Sequence, residues 1–284
     1  MQSLRDNYIG IYEKAIPNHF NWSKKIDIAK EAGYDFIEMS IDESDRRLRR
    51  LDWSIPEIEE FRKLLHKKSF EIRSMCLSGH RRFPFGSHDE NKRKKAYVII
   101  KKAIKLASEL GIKNIQLAGY DNYYEESTKE TKKNFIKGLK YSAKLAEKEN
   151  IMLSIEIMDT EFIGTIDRAI KYIDLIDSPY LKIYPDIGNL TQWTDSISEQ
   201  LKKGRKHMVG VHIKDTKPGV FKEVPFGEGS VNFKNTFKIL EEINYNGPLL
   251  IEMWANNDVI ISQKEATKNI ANAQKWIFDK IKDK

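Results

Sequence analysis

The sequence offers few covalent or metal-based means of holding a small fold together. Its 284 residues include a single cysteine, Cys76, so no intramolecular disulfide can form. For the same reason the Cys-x-x-Cys spacing of a structural zinc site is missing. Disulfide-stapled and zinc-finger classes are therefore excluded.

Long hydrophobic runs are missing as well. No apolar run approaches the ~18 residues that a membrane-spanning helix needs. Residues 1–7 carry charge at the position where the apolar segment of a signal peptide would begin. We therefore expect a cytoplasmic protein with no membrane partner. Hydrophobic residues make up 40% of the chain, which suffices for a sizeable core and excludes general disorder.

The charge balance is basic, with 49 Lys and Arg residues against 42 Asp and Glu residues and a formal net charge of +7. Such an excess is compatible with a nucleic acid, a membrane surface or an anionic small molecule as partner. The densest basic runs, at residues 91–95 and 129–140, lie in stretches with helical apolar spacing and interleaved acidic residues. No known nucleic-acid-binding motif accompanies them, so we interpret them as solvated helix faces and expect no nucleic-acid partner.

Short runs rich in Ile, Val, Tyr and Phe alternate with longer stretches of helical periodicity from one end of the chain to the other. The short runs predict eight strands, at residues 8–12, 36–40, 72–77, 114–117, 152–156, 181–184, 208–212 and 249–253. The longer stretches predict helices at residues 23–32, 57–67, 94–110, 129–149, 165–176, 232–243 and 264–281. Gly33, Gly111 and Asn150 follow the ends of three helices, where a left-handed cap residue is typical.

This alternation predicts an α/β protein with a parallel sheet, because right-handed crossovers connect successive parallel strands. Eight units in a chain of this length fit a single closed (β/α)8 TIM barrel better than an open doubly wound sheet. The first strand is not followed by the Gly-x-Gly-x-x-Gly motif of dinucleotide-binding folds. No linker or composition shift divides the chain, so residues 1–284 are expected to form one domain. The long loops at residues 41–56, 78–91 and 211–231 follow strands and would lie at the catalytic face.

Four consecutive predicted strands end in side chains that can bind a metal or exchange a proton. They are Glu156, Asp186, His212 and Glu252. The carboxyl ends of parallel barrel strands meet at one mouth, so these side chains are expected to lie together. Three neighbouring carboxylates repel one another unless a cation lies between them. The set favours one divalent ion, Mn²⁺, Mg²⁺, Co²⁺ or Zn²⁺; the alternative is four solvated or salt-bridged strand ends.

Further polar and basic residues follow the strand ends and are candidates for binding a sugar or an anionic group. Two adjacent arginines after the third strand suit a phosphate, because guanidinium groups match its geometry; the alternative is a pair that bridges acidic residues of a neighbouring loop. Two lysines after the seventh strand are candidates for substrate hydroxyls or an anionic group; the alternative is a loop with incidental surface charge. An asparagine after the sixth strand is a candidate for hydrogen bonding to a sugar. The candidates are Arg81, Arg82, Lys214, Lys217, Asn189 and, after the first strand, Glu13.

The strand-end stretches at residues 155–159, 184–189, 211–221 and 251–254 resemble the xylose-isomerase-like TIM-barrel superfamily. Within it the sequence is most similar to the L-ribulose-5-phosphate (L-xylulose-5-phosphate) 3-epimerases of bacterial L-ascorbate and pentose use. This likeness extends over residues 10–15, 35–40, 49–54, 74–78 and 225–229. The resemblance implies one divalent metal on Glu156, Asp186, His212 and Glu252, with the two glutamates as the acid/base pair.

The resemblance also implies an isomerase that epimerises a phosphorylated ketopentose at C3, converting L-xylulose 5-phosphate to or from L-ribulose 5-phosphate. Related free-ketose 3-epimerases carry His three residues after the metal-binding Asp and Arg in the loop after the metal-binding His. This sequence has Asn189 and Lys217 at these positions, which weakens a free-sugar interpretation. As partners we expect a sugar phosphate and no nucleic acid or membrane, with a homodimer as the oligomeric state to test.

Other functions of the superfamily remain as alternatives. They are a free-ketose 3-epimerase, a hexulose-6-phosphate isomerase, an apurinic endonuclease-like nuclease and a sugar-phosphate sensor without turnover. The nuclease would need several more histidine ligands, and the chain has six histidines in all. The two strand-end glutamates argue against the sensor, because binding without turnover needs no acid/base pair.

Overall fold

The computed structural model of the protein describes residues 3–281 and contains ten β-strands within them. The strands are β1 (Ile9–Tyr12), β2 (Phe36–Ser40), β3 (Glu71–Leu77), β4 (Asn114–Ala118), β5 (Met152–Glu156), β6 (Leu181–Tyr184), β7 (Val211–Ile213), β8 (Asp215–Lys217), β9 (Val220–Val224) and β10 (Leu249–Ile251). Eight of them form one sheet in the order β6-β5-β4-β3-β2-β1-β10-β7, and β8 and β9 form a separate antiparallel hairpin. Two isolated parallel bridges, Ile183 with Met208 and Asp186 with His212, join the β6 and β7 edges. The sheet is therefore closed, and the predicted α/β class, a (β/α)8 TIM barrel, is confirmed.

Helices surround this barrel and connect its strands. They are α1 (Trp22–Glu31), α2 (Asp45–Leu48), α3 (Ile55–Lys68), α4 (Glu90–Leu110), α5 (Lys129–Glu149), α6 (Ile166–Ile176), α7 (Ile187–Thr191), α8 (Ile197–Gly204), α9 (Phe233–Glu242) and α10 (Gln263–Phe278). A capping box of Ser54 and Glu57 begins α3, because each side chain bonds a free backbone N–H of the first turn. Gly111 and Asn150 end α4 and α5 in the left-handed conformation, as predicted. Between residues 3 and 281 no helix combines the length and apolar character needed to cross a membrane.

The structure differs from the sequence-based expectation mainly near the seventh and eighth barrel strands. The strand predicted at residues 208–212 corresponds to β7, but β7 starts at Val211. Met208 forms only an isolated bridge with Ile183. The strand predicted at residues 249–253 is β10 and ends at Ile251. The sequence also gave no indication of α2, α7, α8 or the β8–β9 hairpin. These elements span three to eight residues each, which is too short for a periodic pattern.

Large aromatic side chains fill the barrel beneath its C-terminal mouth. Phe36 and Tyr184 are among the largest fully buried side chains. The Phe36 ring lies over Gly10, where an added Cβ would come within 2.2 Å of the ring, so this position needs glycine. The Tyr184 ring meets His212 edge-on, with 4.7 Å between ring centroids. The side chains at the mouth therefore rest on a packed interior that restricts their movement.

Candidate active site and metal centre

Side chains from four strand ends meet at the C-terminal mouth of the barrel. Glu156 is the last residue of β5, Asp186 follows β6, His212 lies in β7 and Glu252 follows β10. Each offers one ligand atom, and these atoms all lie within 4.8 Å of one another. All four residues are buried. We call them the ligand group.

The ligand group has the donor chemistry of a divalent-metal site. Three carboxylates and one imidazole form the mostly oxygen set that suits Mn²⁺, Mg²⁺, Co²⁺ or Zn²⁺. His212 Nδ1 lies 3.2 Å from Glu156 Oε1 and 3.3 Å from Glu252 Oε2. Glu156 and Glu252 thus approach the same nitrogen of His212. Buried carboxylates that lie so close together repel each other unless a positive charge lies between them. The residues present therefore fit a bound divalent cation.

Lys214 supplies the nearest fixed positive charge. Its Nζ lies 2.5 Å from Asp186 Oδ2 and 3.3 Å from Glu252 Oε2. Burial would lower the pKa of Lys214, but the two carboxylates outweigh burial and hold this pKa above its ordinary value. Lys214, a predicted substrate-binding residue, is thus an ionised partner of the ligand group.

Burial and neighbouring charges act in opposite directions on the carboxyl groups. Burial raises the pKa of Asp186 to about 7 against the influence of Lys214. Burial also raises the pKa of Glu156, against the influence of His212. Burial favours a higher pKa for Glu252 as well. The positive charges of Lys214 and His212 outweigh burial and hold the pKa of Glu252 below the ordinary glutamate value. The two glutamates therefore differ in proton affinity within one site, as paired acid and base carboxyls do.

A pocket opens above the ligand group, with aromatic and polar walls. Trp254 lines it and meets Tyr12 edge-on, with 6.2 Å between ring centroids. Asn189 also lines the pocket and donates from its side-chain nitrogen to the carbonyl oxygen of Ile157 at 2.9 Å. The side-chain oxygen of Asn189 is buried and has no hydrogen-bond partner in the described part of the chain. The pocket lining therefore includes a residue with an unpaired hydrogen-bond acceptor.

Two cations of the pocket lining have no carboxylate partner. Arg81 stacks on the Tyr123 ring, 4.4 Å from its centroid, and its Nε has no hydrogen-bond partner in residues 3–281. Lys222 lies in β9, at the exposed rim of the pocket. Neither cation forms an ion pair within 4 Å in the same part of the chain. Partial desolvation and the positive charge of Arg81 lower the pKa of Lys222. The lining of the outer pocket therefore holds two cations without an ion-pair partner, together with one carboxylate, Asp159.

The family assignment follows from comparison with known proteins. A family model described as xylose isomerase-like TIM barrel matches residues 26–280. The chain belongs to this family. L-ribulose-5-phosphate 3-epimerase UlaE of Escherichia coli O157:H7 (strain EC4115 / EHEC) is 44% identical over 269 residues, which cover 95% of this chain and 93% of the relative. With relatives of this kind over nearly its full length, the chain is an isomerase of the epimerase type, as predicted from sequence.

Solved structures share the fold of this chain at low sequence identity. The IolI protein with a bound zinc atom superposes with a TM-score of 0.80 at 16% identity, covering 98% of this chain and 100% of its own. An L-ribulose 3-epimerase superposes with a TM-score of 0.77 at 15% identity, covering 96% of this chain and 93% of its own. These likenesses support the barrel architecture.

The structure places Glu13, a predicted substrate-binding residue, outside the pocket lining. Its carboxylate is fully buried and lies 2.7 Å from Lys25 Nζ, 2.8 Å from Arg47 Nη1 and 2.5 Å from Arg50 Nη1. Burial alone would raise the pKa of Glu13, but the cations, Arg50 foremost, hold it well below its ordinary value. Glu13 is therefore a structural anion that joins the loops after β1 and β2. The sequence could not indicate this role, because all three cations lie at a distance along the chain.

Arg82 and Lys217, also predicted to bind substrate, lie outside the pocket lining as well. Arg82 is exposed and lies 2.6 Å from Asp45 Oδ1, which is the loop-bridging alternative considered for the arginine pair. The Lys217 side chain is 46% exposed, with its Nζ 3.9 Å from Glu228. The hairpin turn directs Lys222 to the pocket instead. Lys222 is not among the residues predicted from sequence; the Pro218-Gly219 pair before it is a turn signal that could have indicated the hairpin.

Proposed function

We propose that the protein interconverts L-xylulose 5-phosphate and L-ribulose 5-phosphate by moving a proton at C3. The observation that carries this proposal is the convergence of two glutamate carboxyl groups, Glu156 and Glu252, on one buried point at the barrel mouth. The names of the curated relatives, L-ribulose-5-phosphate 3-epimerases, support this choice of substrate.

Epimerisation at C3 needs two proton-transfer groups. The C3 proton is acidic because it is α to the C2 carbonyl, and its removal gives a planar enediolate. A proton returned to the opposite face inverts the centre. Glu156 and Glu252 come from β5 and β10, and β6 and β7 lie between these strands in the closed barrel. We assign one carboxyl group to each face, with the roles exchanged in the reverse direction.

The remaining residues of the site prepare this proton transfer. A divalent ion held by the ligand group would stabilise, as a Lewis acid, the negative charge that develops on the C2 oxygen. Lys214 orients the carboxyl groups of Asp186 and Glu252 through its ion pairs with both of them. We assign to Asn189, whose side-chain oxygen has no hydrogen-bond partner in residues 3–281, the role of accepting a hydrogen bond from a substrate hydroxyl. Trp254 and Tyr12 contact each other in the pocket lining, and we assign to them the role of limiting the access of water to the reacting carbon.

The phosphate group of the substrate needs positive partners that the ligand group does not supply. Four cations line the pocket, and two of them, Lys14 and Lys214, contact carboxylates at 2.6 and 2.5 Å. Arg81 and Lys222 have no such partner in residues 3–281. A phosphate dianion between these two cations would remove their mutual repulsion. We therefore assign the phosphate to Arg81 and Lys222.

Loss of either phosphate-binding cation is expected to weaken binding of the phosphorylated substrate selectively. A charge-assisted hydrogen bond contributes ~1.5–3 kcal/mol, so Arg81→Ala and Lys222→Ala should each raise KM for L-ribulose 5-phosphate roughly tenfold or more. Turnover of free L-ribulose should change little, because it has no phosphate. Steady-state kinetics with both ketoses measures the effect.

Arg82→Ala is the matched control, because Arg82 is a neighbouring exposed arginine outside the pocket. Unchanged KM in both pocket variants would refute the phosphate assignment. A wild-type protein that prefers the free ketose by kcat/KM would refute the phosphorylated substrate, while leaving proton transfer at C3 intact.

A further inference from the structure

Glu38 is a buried carboxylate that the proposed proton transfer does not use. It lies in β2, which β1 and β10 separate from β7 in the barrel, and is completely buried. Its Oε1 is 2.9 Å from His212 Nε2, and its Oε2 accepts a hydrogen bond from Ser74 Oγ at 2.6 Å. A fourth carboxylate next to three others is costly unless it is firmly paired. The two contacts of Glu38 therefore indicate a specific role toward His212.

The two ring nitrogens of His212 face different surroundings. Nε2 faces Glu38, whereas Nδ1 faces Glu156 and Glu252 of the ligand group. The side-chain nitrogen of Gln116 lies 3.4 Å from Nδ1. An ionised carboxylate accepts hydrogen bonds only, and Ser74 already donates to one oxygen of Glu38. The proton of a neutral imidazole therefore belongs on Nε2, which leaves the Nδ1 lone pair directed at the ligand group.

We propose that Glu38, supported by Ser74, is a positioning residue that fixes the ring orientation and tautomer of His212 for metal binding through Nδ1. A carboxylate that accepts the second N–H of a ligating histidine raises the basicity of that ligand. Loss of such a partner typically lowers metal affinity 10- to 100-fold. The inference rests on the ligand group and not on the sugar substrate, so it can fail or hold independently of the proposed function.

Metal affinity of the full-length chain tests this role without reference to turnover. The protein is stripped of metal with a chelator and titrated with Zn²⁺ in competition with a chelating fluorophore. Glu38→Leu, which cannot accept a hydrogen bond, should bind Zn²⁺ 10- to 100-fold more weakly than wild type. Glu38→Gln should show a smaller loss, because its amide oxygen can still accept from Nε2. Ser74→Ala should fall between wild type and Glu38→Leu.

Ser154→Ala is the matched control, because Ser154 is buried in β5 and its hydroxyl has no hydrogen-bond partner in the described residues. It should bind Zn²⁺ as wild type does. If circular dichroism shows that Glu38→Leu is unfolded, the Zn²⁺ affinities of Glu38→Gln and Ser74→Ala provide the test. Folded variants that all bind Zn²⁺ within about threefold of wild type would overturn the proposal.

The ¹⁵N NMR spectrum of the His212 ring in the Zn²⁺-loaded protein gives a second readout. We expect a metal-bound Nδ1 and a protonated Nε2 in wild type. In Glu38→Leu the Nε2 proton should exchange faster with solvent. In the control Ser154→Ala, which changes only packing, the exchange rate of this proton should stay as in wild type. A metal-bound Nε2 in wild type would contradict the assignment directly.

Discussion

Replacing Glu156 or Glu252 by glutamine is expected to lower kcat by about 10²- to 10⁴-fold, the usual contribution of a positioned general acid or base. Glutamine keeps the shape of the side chain but cannot exchange the C3 proton. Both carboxyl groups also belong to the ligand group. Each variant is therefore assayed at saturating metal, with its metal content measured, so that lost proton transfer is separated from lost metal.

Exchange of the substrate proton with solvent distinguishes the two glutamates. In D₂O each variant retains at most one proton-transfer group, so it should exchange the C3 proton of at most one epimer. The epimer should differ between Glu156→Gln and Glu252→Gln. Glu228→Gln, which removes an exposed carboxylate, serves as the control and should behave as wild type. Near wild-type turnover in either pocket variant would remove that glutamate from the chemistry.

The second large effect concerns the stability of the barrel. Glu13→Gln is expected to lower the free energy of unfolding by about 3–5 kcal/mol, because removing one member of a buried ion pair leaves the other charge uncompensated. Here the change would leave three buried cations, Lys25, Arg47 and Arg50, without their shared carboxylate. Urea unfolding at pH 7 measures the difference from wild type.

The stabilisation by Glu13 should depend on pH in a defined direction. Burial opposes ionisation of Glu13, but the cations outweigh burial and hold its pKa in the folded protein well below the ordinary glutamate value of about 4.3. The unfolded chain therefore binds the proton more readily, so this stabilisation is complete above about pH 4.3 and declines as the pH falls below it. The stability difference between wild type and Glu13→Gln should shrink accordingly.

Asp45→Asn provides the control for this prediction, since Asp45 forms an exposed ion pair with Arg82. Exposed pairs contribute little, so its unfolding free energy should stay within about 1 kcal/mol of wild type. A Glu13→Gln protein as stable as Asp45→Asn would show that the buried cluster does not stabilise the loops after β1 and β2.

The ligand group could be predicted from sequence because barrel topology determines it. The eight-fold alternation indicates a barrel, and a barrel brings successive strand ends to one mouth whatever the sequence distance between Glu156 and Glu252. The supporting contacts could not be predicted in this way. Glu38 meets His212 across the barrel interior, so their pairing depends on side-chain reach and not on strand order.

The cations to which we assign the phosphate, and those around Glu13, show the same limit. Lys222 reaches the pocket because β8 and β9 turn back over it, and strands of three and five residues leave little periodic signal. Glu13 directly follows a strand, so its sequence position resembles that of the ligand residues. Its carboxylate, however, forms ion pairs with Arg47 of α2 and with Arg50, which follows α2. Sequence position alone does not distinguish a strand-end carboxylate in the pocket from one buried beside it.

Proton transfer at C3 of a phosphorylated ketopentose is tested most directly by NMR of L-ribulose 5-phosphate in D₂O with the purified protein and Mg²⁺ or Zn²⁺. We expect conversion to L-xylulose 5-phosphate, deuterium at C3 and intact C1 protons, with no conversion after treatment with EDTA. Deuterium at C1 would indicate an aldose–ketose isomerase instead. Retention of the C3 proton during turnover, or full activity in EDTA with no metal bound, would contradict the account.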